Sequence, residues 1–95
     1  MEVEWDDKKA ADNEKYHGVS FSDAATVFED PLSVTYPDPD HSLEEARFLT
    51  FGHDHSGRIL VVAHADSGDA IRVISARRVT KAERKSYEEG QSKRS

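Results

Sequence analysis

Residues 58–78 constrain the fold of this chain more than any other stretch. They run Arg58-Ile-Leu-Val-Val-Ala-His64, then Asp66-Ser-Gly-Asp69, then Ile71-Arg-Val-Ile-Ser-Ala-Arg77-Arg78. Two β-branched-rich runs around a short Asp/Ser/Gly turn are the strongest local signal for a β-hairpin. With Ser67-Gly68 as a two-residue loop, Asp66 faces Asp69 and the period of two fixes every later pair. Val62 then faces Val73, Leu60 faces Ser75, and Arg58 faces Arg77. One face carries Arg58, Leu60, Val62, His64, Ile71, Val73, Ser75 and Arg77. The other carries Ile59, Val61, Ala63, Ala65, Ala70, Arg72, Ile74, Ala76 and Arg78. Small apolar residues in the middle of that second face make it the side expected to take helices. The first face sets two Arg, a Ser and a His on a sheet surface. Like charges directly opposite on a ladder repel, so an anion bound by Arg58 and Arg77 together removes a cost from the fold. Arg has the bidentate geometry for phosphate. The competing reading pairs both arginines with the abundant carboxylates.

Charge is divided along the chain. Residues 1–45 hold 13 Asp/Glu against 3 Lys, whereas residues 46–95 hold 10 Lys/Arg against 6 Asp/Glu. The net of −6 therefore hides an acidic half and a basic half, which points to an anionic partner for one and a cationic protein for the other. With 95 residues and 36% hydrophobic side chains, one small domain with one core is expected over residues 1–90, followed by a disordered tail at 91–95. The absence of Cys excludes disulfides, thiolate chemistry and Cys-type zinc sites. The opening Met-Glu-Val-Glu-Trp-Asp has neither the basic nor the apolar region of an export signal, and no run is long enough to span a bilayer. A soluble, cytoplasmic protein is expected.

Glu2-Val-Glu-Trp5 reads as a short first strand or an extended lead-in. Asp6 is an N-cap, with Trp5 and Ala10 at the staple positions of a first helix reaching Tyr16. Gly18 supplies the left-handed stop. Ser20-x-x-Asp23 opens a second helix with Ala24, Ala25, Val27 and Phe28 on its apolar face, ended by Pro31. Strands follow at 32–36 and 45–52, joined by the acidic loop Pro37-Asp-Pro-Asp-His41-Ser42. After the hairpin, Thr80-x-x-Glu83 is a capping box for a final helix ended by Gly90. That helix is polar nearly all round, with Ala82 and Tyr87 as its packing residues, and so is solvated or partnered. The predicted architecture is α+β: two N-terminal helices, a four-stranded antiparallel meander and a C-terminal helix, with helices on one face.

Several motifs then coincide in order. They are Glu4-Trp5-Asp6, Lys9-Ala10-x-x-Asn13, His17-Gly18-Val19-Ser20-Phe21, Phe28-Glu-Asp-Pro31, Asp38-Pro39-Asp40-His41-Ser42, Arg47-Phe48-x-x-x-Gly52 and Ile74-Ser75-Ala76-Arg77-Arg78, with Thr80, Glu83, Arg84 and Tyr87. Together they resemble the BrnT family of bacterial type II toxins over residues 2–89. The resemblance implies a RelE-like ribonuclease fold and an RNA-cleaving activity that blocks translation. It also implies a BrnA-type ribbon-helix-helix antitoxin, in a hetero-oligomer of two toxins and two antitoxins that meets operator DNA only through the antitoxin. Neither cofactor nor metal is implied, and no membrane partner. Two positions depart from the family pattern: Tyr16 stands where Lys is usual, with Lys15 before it, and Ala46 stands where an acidic residue often precedes the strand Arg, with Glu45 adjacent.

RNA cleavage without a metal needs a base near the 2′-hydroxyl, cationic donors for charge building on phosphorus, and an acid at the leaving 5′-oxygen. The 2′-hydroxyl is the internal nucleophile, which confines the reaction to RNA. Arg77, Arg47, His17, Glu45 and Tyr87 are the catalytic candidates. Arg58, His64, Ser75, Arg78 and Lys15 are the substrate-binding candidates. RelE-like nucleases lean on Arg, Lys and Tyr with a variable base, and Arg77 leads because the motif contains it and because it faces Arg58 in the derived register. Bland readings stand beside these: His64 as a hydrogen-bonded core histidine, and His17 as a cation at a helix C-terminus. His53-Asp54-His55, near His41 in sequence, has the residue types of a surface metal site but equally those of a solvated loop. A non-catalytic module, a degenerate toxin kept as antitoxin-binding co-repressor, is the rival from another class.

Overall fold

Asp6 opens the first helix of the computed structural model, which describes residues 2–42 and 44–94. Its carboxylate accepts from the Lys9 amide at 3.0 Å, and α1 (Asp7–His17) follows. Gly18 closes that helix at φ 67°, with its N–H on the Glu14 carbonyl at 2.9 Å. A residue with a Cβ resists that left-handed turn, and glycine does not. Ser20 caps α2 (Phe21–Ala25) by accepting from the Asp23 amide, and a 3-10 turn, Thr26–Glu29, continues it. The strands are β1 (Glu2–Glu4), β2 (Val34–Pro37), β3 (Arg47–His53), β4 (Ile59–Ser67) and β5 (Ala70–Arg78), and α3 (Lys81–Arg94) comes last.

The spatial order is β1-β5-β4-β3-β2, with β2 to β5 in the expected antiparallel meander. The expected four strands are joined by a fifth. Residues 2–4 pair in parallel with residues 70–72 of β5, so the sheet is mixed. Three residues are too few to display a period of two, which is why the sequence left this segment undecided. α1 and α2 carry the chain from β1 at one edge of the sheet to β2 at the other.

The hairpin forms in a different register from the one expected. Ser67 pairs with Ala70 and His64 with Val73, so the loop is Gly68-Asp69. Gly68, at φ 65°, supplies the positive φ that two-residue hairpin turns require. The register shifts again between Ala63 and His64: Ala63 pairs with Ser75, leaving Ile74 as an extra residue in a β-bulge. Val61 therefore faces Arg77, and Arg58 does not.

These changes exchange the two faces. Leu60, Val62, Val73 and Ala76 form the core with Val19, Phe21, Ala24 and Val27, so the Leu60/Val62/His64 side of β4 takes α1 and α2. Both sides of β4 are apolar, and its alternation alone does not choose between them. Gly52 permits the closest approach on this side. A Cβ there would lie 2.9 Å from the Ser33 Cβ and 3.0 Å from the Val27 Cγ1. The helices are not all on one face, because Tyr87 and Glu83 of α3 meet the opposite side of the sheet through Phe51, Leu49 and Arg77. α3 also runs through Gly90 to Arg94 rather than ending there. A mid-helix glycine costs about 1 kcal/mol and does not by itself terminate a helix. Of the expected disordered tail, Ser95 lies outside the described residues. Among the described residues no helix is long and apolar enough to cross a membrane.

Candidate functional site

The sheet face away from α1 and α2 is a grid of rows set by the strand register. Arg47, Ala65 and Arg72 form one row; Tyr36, Leu49, Ala63 and Ser75 the next; Val34, Phe51, Val61 and Arg77 a third. Three arginines thus share one face with small residues between them. The bulge makes this possible. Arg72 and Arg77 are five positions apart, and an odd spacing puts two residues on opposite faces of a regular strand. The extra residue at Ile74 restores them to one side. Arg72 was missed by the sequence reading for that reason.

Each arginine on this face meets a carboxylate. Arg72 donates to Glu45, whose carboxylate also lies 3.6 Å from the Arg47 Nε. The Arg72 hydrogen bond, opposed in part by desolvation, holds Glu45 below the usual carboxylate range. The Arg47 Nε is itself buried without a hydrogen-bond acceptor. Arg77 makes a bidentate pair with Glu83, at 2.8 and 3.0 Å, and its Nη1 also approaches the Arg78 carbonyl at 3.3 Å. Arg77 pulls Glu83 down from 4.5 to about 2, helped by the Thr80 amide. In return the Glu83 hydrogen bond raises Arg77 further. The Thr80/Glu83 capping box is formed as the sequence indicated, and its Glu serves two partners at once. Each arginine of this grid thus lies beside a partly exposed carboxylate.

A groove of about 350 Å³ adjoins Arg77, lined by Tyr36, Leu49, Phe51, Glu83, Ser86 and Tyr87. Tyr36 stands half-exposed against Phe51, with ring centroids 5.9 Å apart. Tyr87 is buried, its ring 5.8 Å from that of His53 and its hydroxyl donating to the Leu32 carbonyl at 3.3 Å.

The other sequence candidates lie elsewhere. Arg58 is at the far end of β4, where it binds Asp54 and Asp23 at 2.9 and 3.0 Å and reaches the Gly18 carbonyl. Asp54 is held below the usual range: burial raises it, and hydrogen bonds from Ser56 and Arg58 more than offset that. The reading that pairs both arginines with carboxylates is the one the structure bears out, Arg58 with Asp54 and Asp23 and Arg77 with Glu83. His64 lies on the helix face, with its Nε2 2.7 Å from the Thr50 hydroxyl and its ring against Phe28 and Phe48. Burial lowers its pKa, only partly offset by Asp66, so it is a neutral core residue at pH 7. His17 ends α1 and, with Lys9, Asp12, Asn13 and Tyr16, surrounds Ile74 at the outer side of β5. Lys15 is exposed above the Tyr16 ring, and Arg78 is exposed at the end of its strand. The loop histidines separate: His53 goes to Asp30, His55 to Asp23 and His41 to Asp38. Among the described residues, no three His, Asp or Glu side chains converge as a metal site would need.

Two comparisons with known proteins match this architecture. Residues 5–83 match the family model described as the ribonuclease toxin BrnT of type II toxin-antitoxin systems. Among solved structures, the chain resembles the 1.1 Å crystal structure of the Brucella abortus ribonuclease toxin BrnT. The TM-score is 0.68 and the identity 24%, over 85% of this chain and 99% of that one. That likeness carries the fold. No curated protein matches.

Proposed function

We propose that this chain, which belongs to the BrnT family of ribonuclease toxins of type II toxin-antitoxin systems, cleaves RNA on its arginine-bearing sheet face without a metal ion. The observation that carries the reading is the union of Arg47, Arg72 and Arg77 on one face, across short side chains and beside an aromatic groove. A phosphodiester laid along these rows displaces Glu45 and Glu83 from the guanidiniums. The 2′-oxygen attacks phosphorus, the bond from phosphorus to O5′ breaks, and the products are a 2′,3′-cyclic phosphate and a 5′-hydroxyl. The arginines stabilise the charge that builds on the phosphoryl oxygens. Glu45, freed from Arg72 and ionised at neutral pH as an ordinary carboxylate is, takes the 2′-hydroxyl proton. The leaving oxygen takes its proton from water on the exposed face.

Tyr87 is assigned to the wall of the groove, because its hydroxyl is engaged with the Leu32 carbonyl. Tyr36 and Phe51 offer an aromatic surface for a base next to the scissile phosphate. Ser75, between Arg72 and Arg77 in the grid, is a hydrogen-bond partner for the backbone. Lys15, on α1, and Arg78, paired with Leu60, lie toward the helix side of the sheet and are assigned no phosphate. His17, Arg58 and His64 are assigned no step.

The partner on this reading is a BrnA-type ribbon-helix-helix antitoxin, two copies with two toxins, which covers the arginine face and carries the complex to operator DNA. The site of action is the cytoplasm, where cleavage inhibits translation. A second reading, the non-catalytic antitoxin-binding module, draws support from Glu45 and Glu83 already occupying the guanidiniums, and from Tyr16 and Ala46 at two family positions. The test is incubation of purified protein with single-stranded RNA in EDTA beside Arg77→Ala. Cleavage by the unmodified protein alone, leaving cyclic phosphate ends, is expected. Equal cleavage by both proteins overturns the site, and growth arrest without RNA cleavage overturns the mechanism.

A further inference from the structure

Strand β5 has a partner on only part of its outer edge. β1 pairs with residues 70–72 and goes no further, so among the described residues no strand flanks β5 beyond Arg72. An open edge leaves backbone groups unpaired. At Ala76 that gap is filled by a side chain. Asn13 of α1 donates from Nδ2 to the Ala76 carbonyl at 2.8 Å and accepts from the Ala76 amide on Oδ1 at 3.0 Å. A carboxamide has one face with a donor and an acceptor side by side, as a peptide group does. Paired donation and acceptance with one residue is the pattern of a hydrogen-bonded antiparallel pair. The second Nδ2 hydrogen goes to the Val19 carbonyl at 2.9 Å, which fixes the amide from behind. Asn13 is 6% exposed, so water does not compete for these bonds.

The location of this clamp matters more than its strength. Ala76 is two residues past Ile74, the extra residue of the bulge, and sits between Ser75 and Arg77. The bulge sends Val73 into the core and Ser75 and Arg77 to the open face. Slipping by one residue would reverse every side chain after it. We propose that Asn13 is a positioning residue for Arg77: its carboxamide stands in for the missing strand, holds the post-bulge register of β5, and so keeps Arg72 and Arg77 on one face. The assignment rests on the cleavage reading for its kinetic consequence and stands independently of it in its structural one.

The experiment uses the full chain with Asn13→Asp, which is isosteric but sets a carboxylate against the Val19 and Ala76 carbonyls, and Asn13→Ser as a second variant should the first fail to fold. Each is made in the wild-type and in the Arg77→Ala background. Cleavage of single-stranded RNA is expected to fall by on the order of 10²-fold in the first background, with the loss in kcat, and by less than about 3-fold in the second, where no guanidinium remains to be placed. The loss of melting temperature is expected to be the same in both. An equal fold-loss of cleavage in both backgrounds overturns the proposal, because it makes Asn13 a general structural residue. Backbone amide exchange and the Arg77 side-chain NMR signal supply a readout that needs no cleavage. Faster exchange confined to residues 74–78, with the Arg77 signal moving to that of a free guanidinium, supports the proposal even in a chain that does not cut RNA. Uniformly faster exchange, or an unmoved Arg77 signal, overturns it.

Discussion

Arginine meets carboxylate at both ends of this sheet, with opposite consequences. At one end Arg58 is 25% exposed and bonds Asp54, whose side chain is fully buried, and Asp23. It ties the turn before β4 to α2 and to the loop after α1. At the other end Arg77 is 43% exposed, and its partner Glu83 belongs to a helix held to the sheet through few side chains. Arg72 and Arg47 share one half-exposed Glu45. A buried pair broken on one side leaves an uncompensated charge, while an exposed pair contributes little and exchanges readily. The same two chemical groups make a buried tie in one place and an exposed pair in the other, and on the proposed function only the exposed pairs trade their carboxylate for a phosphate.

The largest effect is expected from the buried tie. Arg58→Ala should lower stability by about 3–5 kcal/mol in denaturant unfolding, because Asp54 remains buried without its cation. Cleavage per folded molecule should change little; a variant near wild-type stability would break the distinction. Arg77→Ala should do the reverse. It should reduce kcat/KM by on the order of 10²–10³-fold and move stability by less than about 1 kcal/mol. Gly52→Ala sharpens the picture of the fixed end. With Ser33 and Val27 already at contact distance, it should cost about 1–3 kcal/mol through overpacking, again without a kinetic signature.

The smallest effect belongs to the exchangeable pair itself. Glu83 ionises at about 2 in the fold and at 4.5 unperturbed. The folded state therefore holds its proton less tightly, and the contribution is complete above pH 4.5 and fades as the pH drops toward 2. Glu83→Gln keeps the capping geometry and should flatten that part of the stability curve, with a loss of about 1 kcal/mol at pH 7 after solvent screening. RNA binding should tighten by up to about fivefold as Arg77 is released from competition. Weaker binding would mean that Glu83 helps to hold substrate.

The elements were legible because their signals are local. Asp6, Gly18, Ser20 and the Thr80/Glu83 box act within one turn, and each caps where the sequence placed it. The site was legible in parts. Arg47, Ser75 and Arg77, all in the quoted motifs, share the open face with Glu45 beside them, although the register that first suggested Arg77 was wrong. Arg58 and Arg72 changed places because a hairpin of apolar residues on both faces does not reveal its own register. The bulge at Ile74 depends on contacts from elsewhere in the chain. Asn13, 63 positions from Ala76, leaves no trace in local periodicity. β1 was too short to show a pattern at all.

The central claim is that the open-face arginines, and not Arg58, exchange their carboxylates for phosphate. It is tested most directly by titrating the protein with an RNA carrying a 2′-deoxy sugar at the cleavage position, while following the side-chain NMR signals of each arginine. The signals of Arg47, Arg72 and Arg77 should shift together and saturate at one RNA per chain, with Arg58 unmoved. A shift at Arg58, or saturation without any shift at Arg77, would contradict the account.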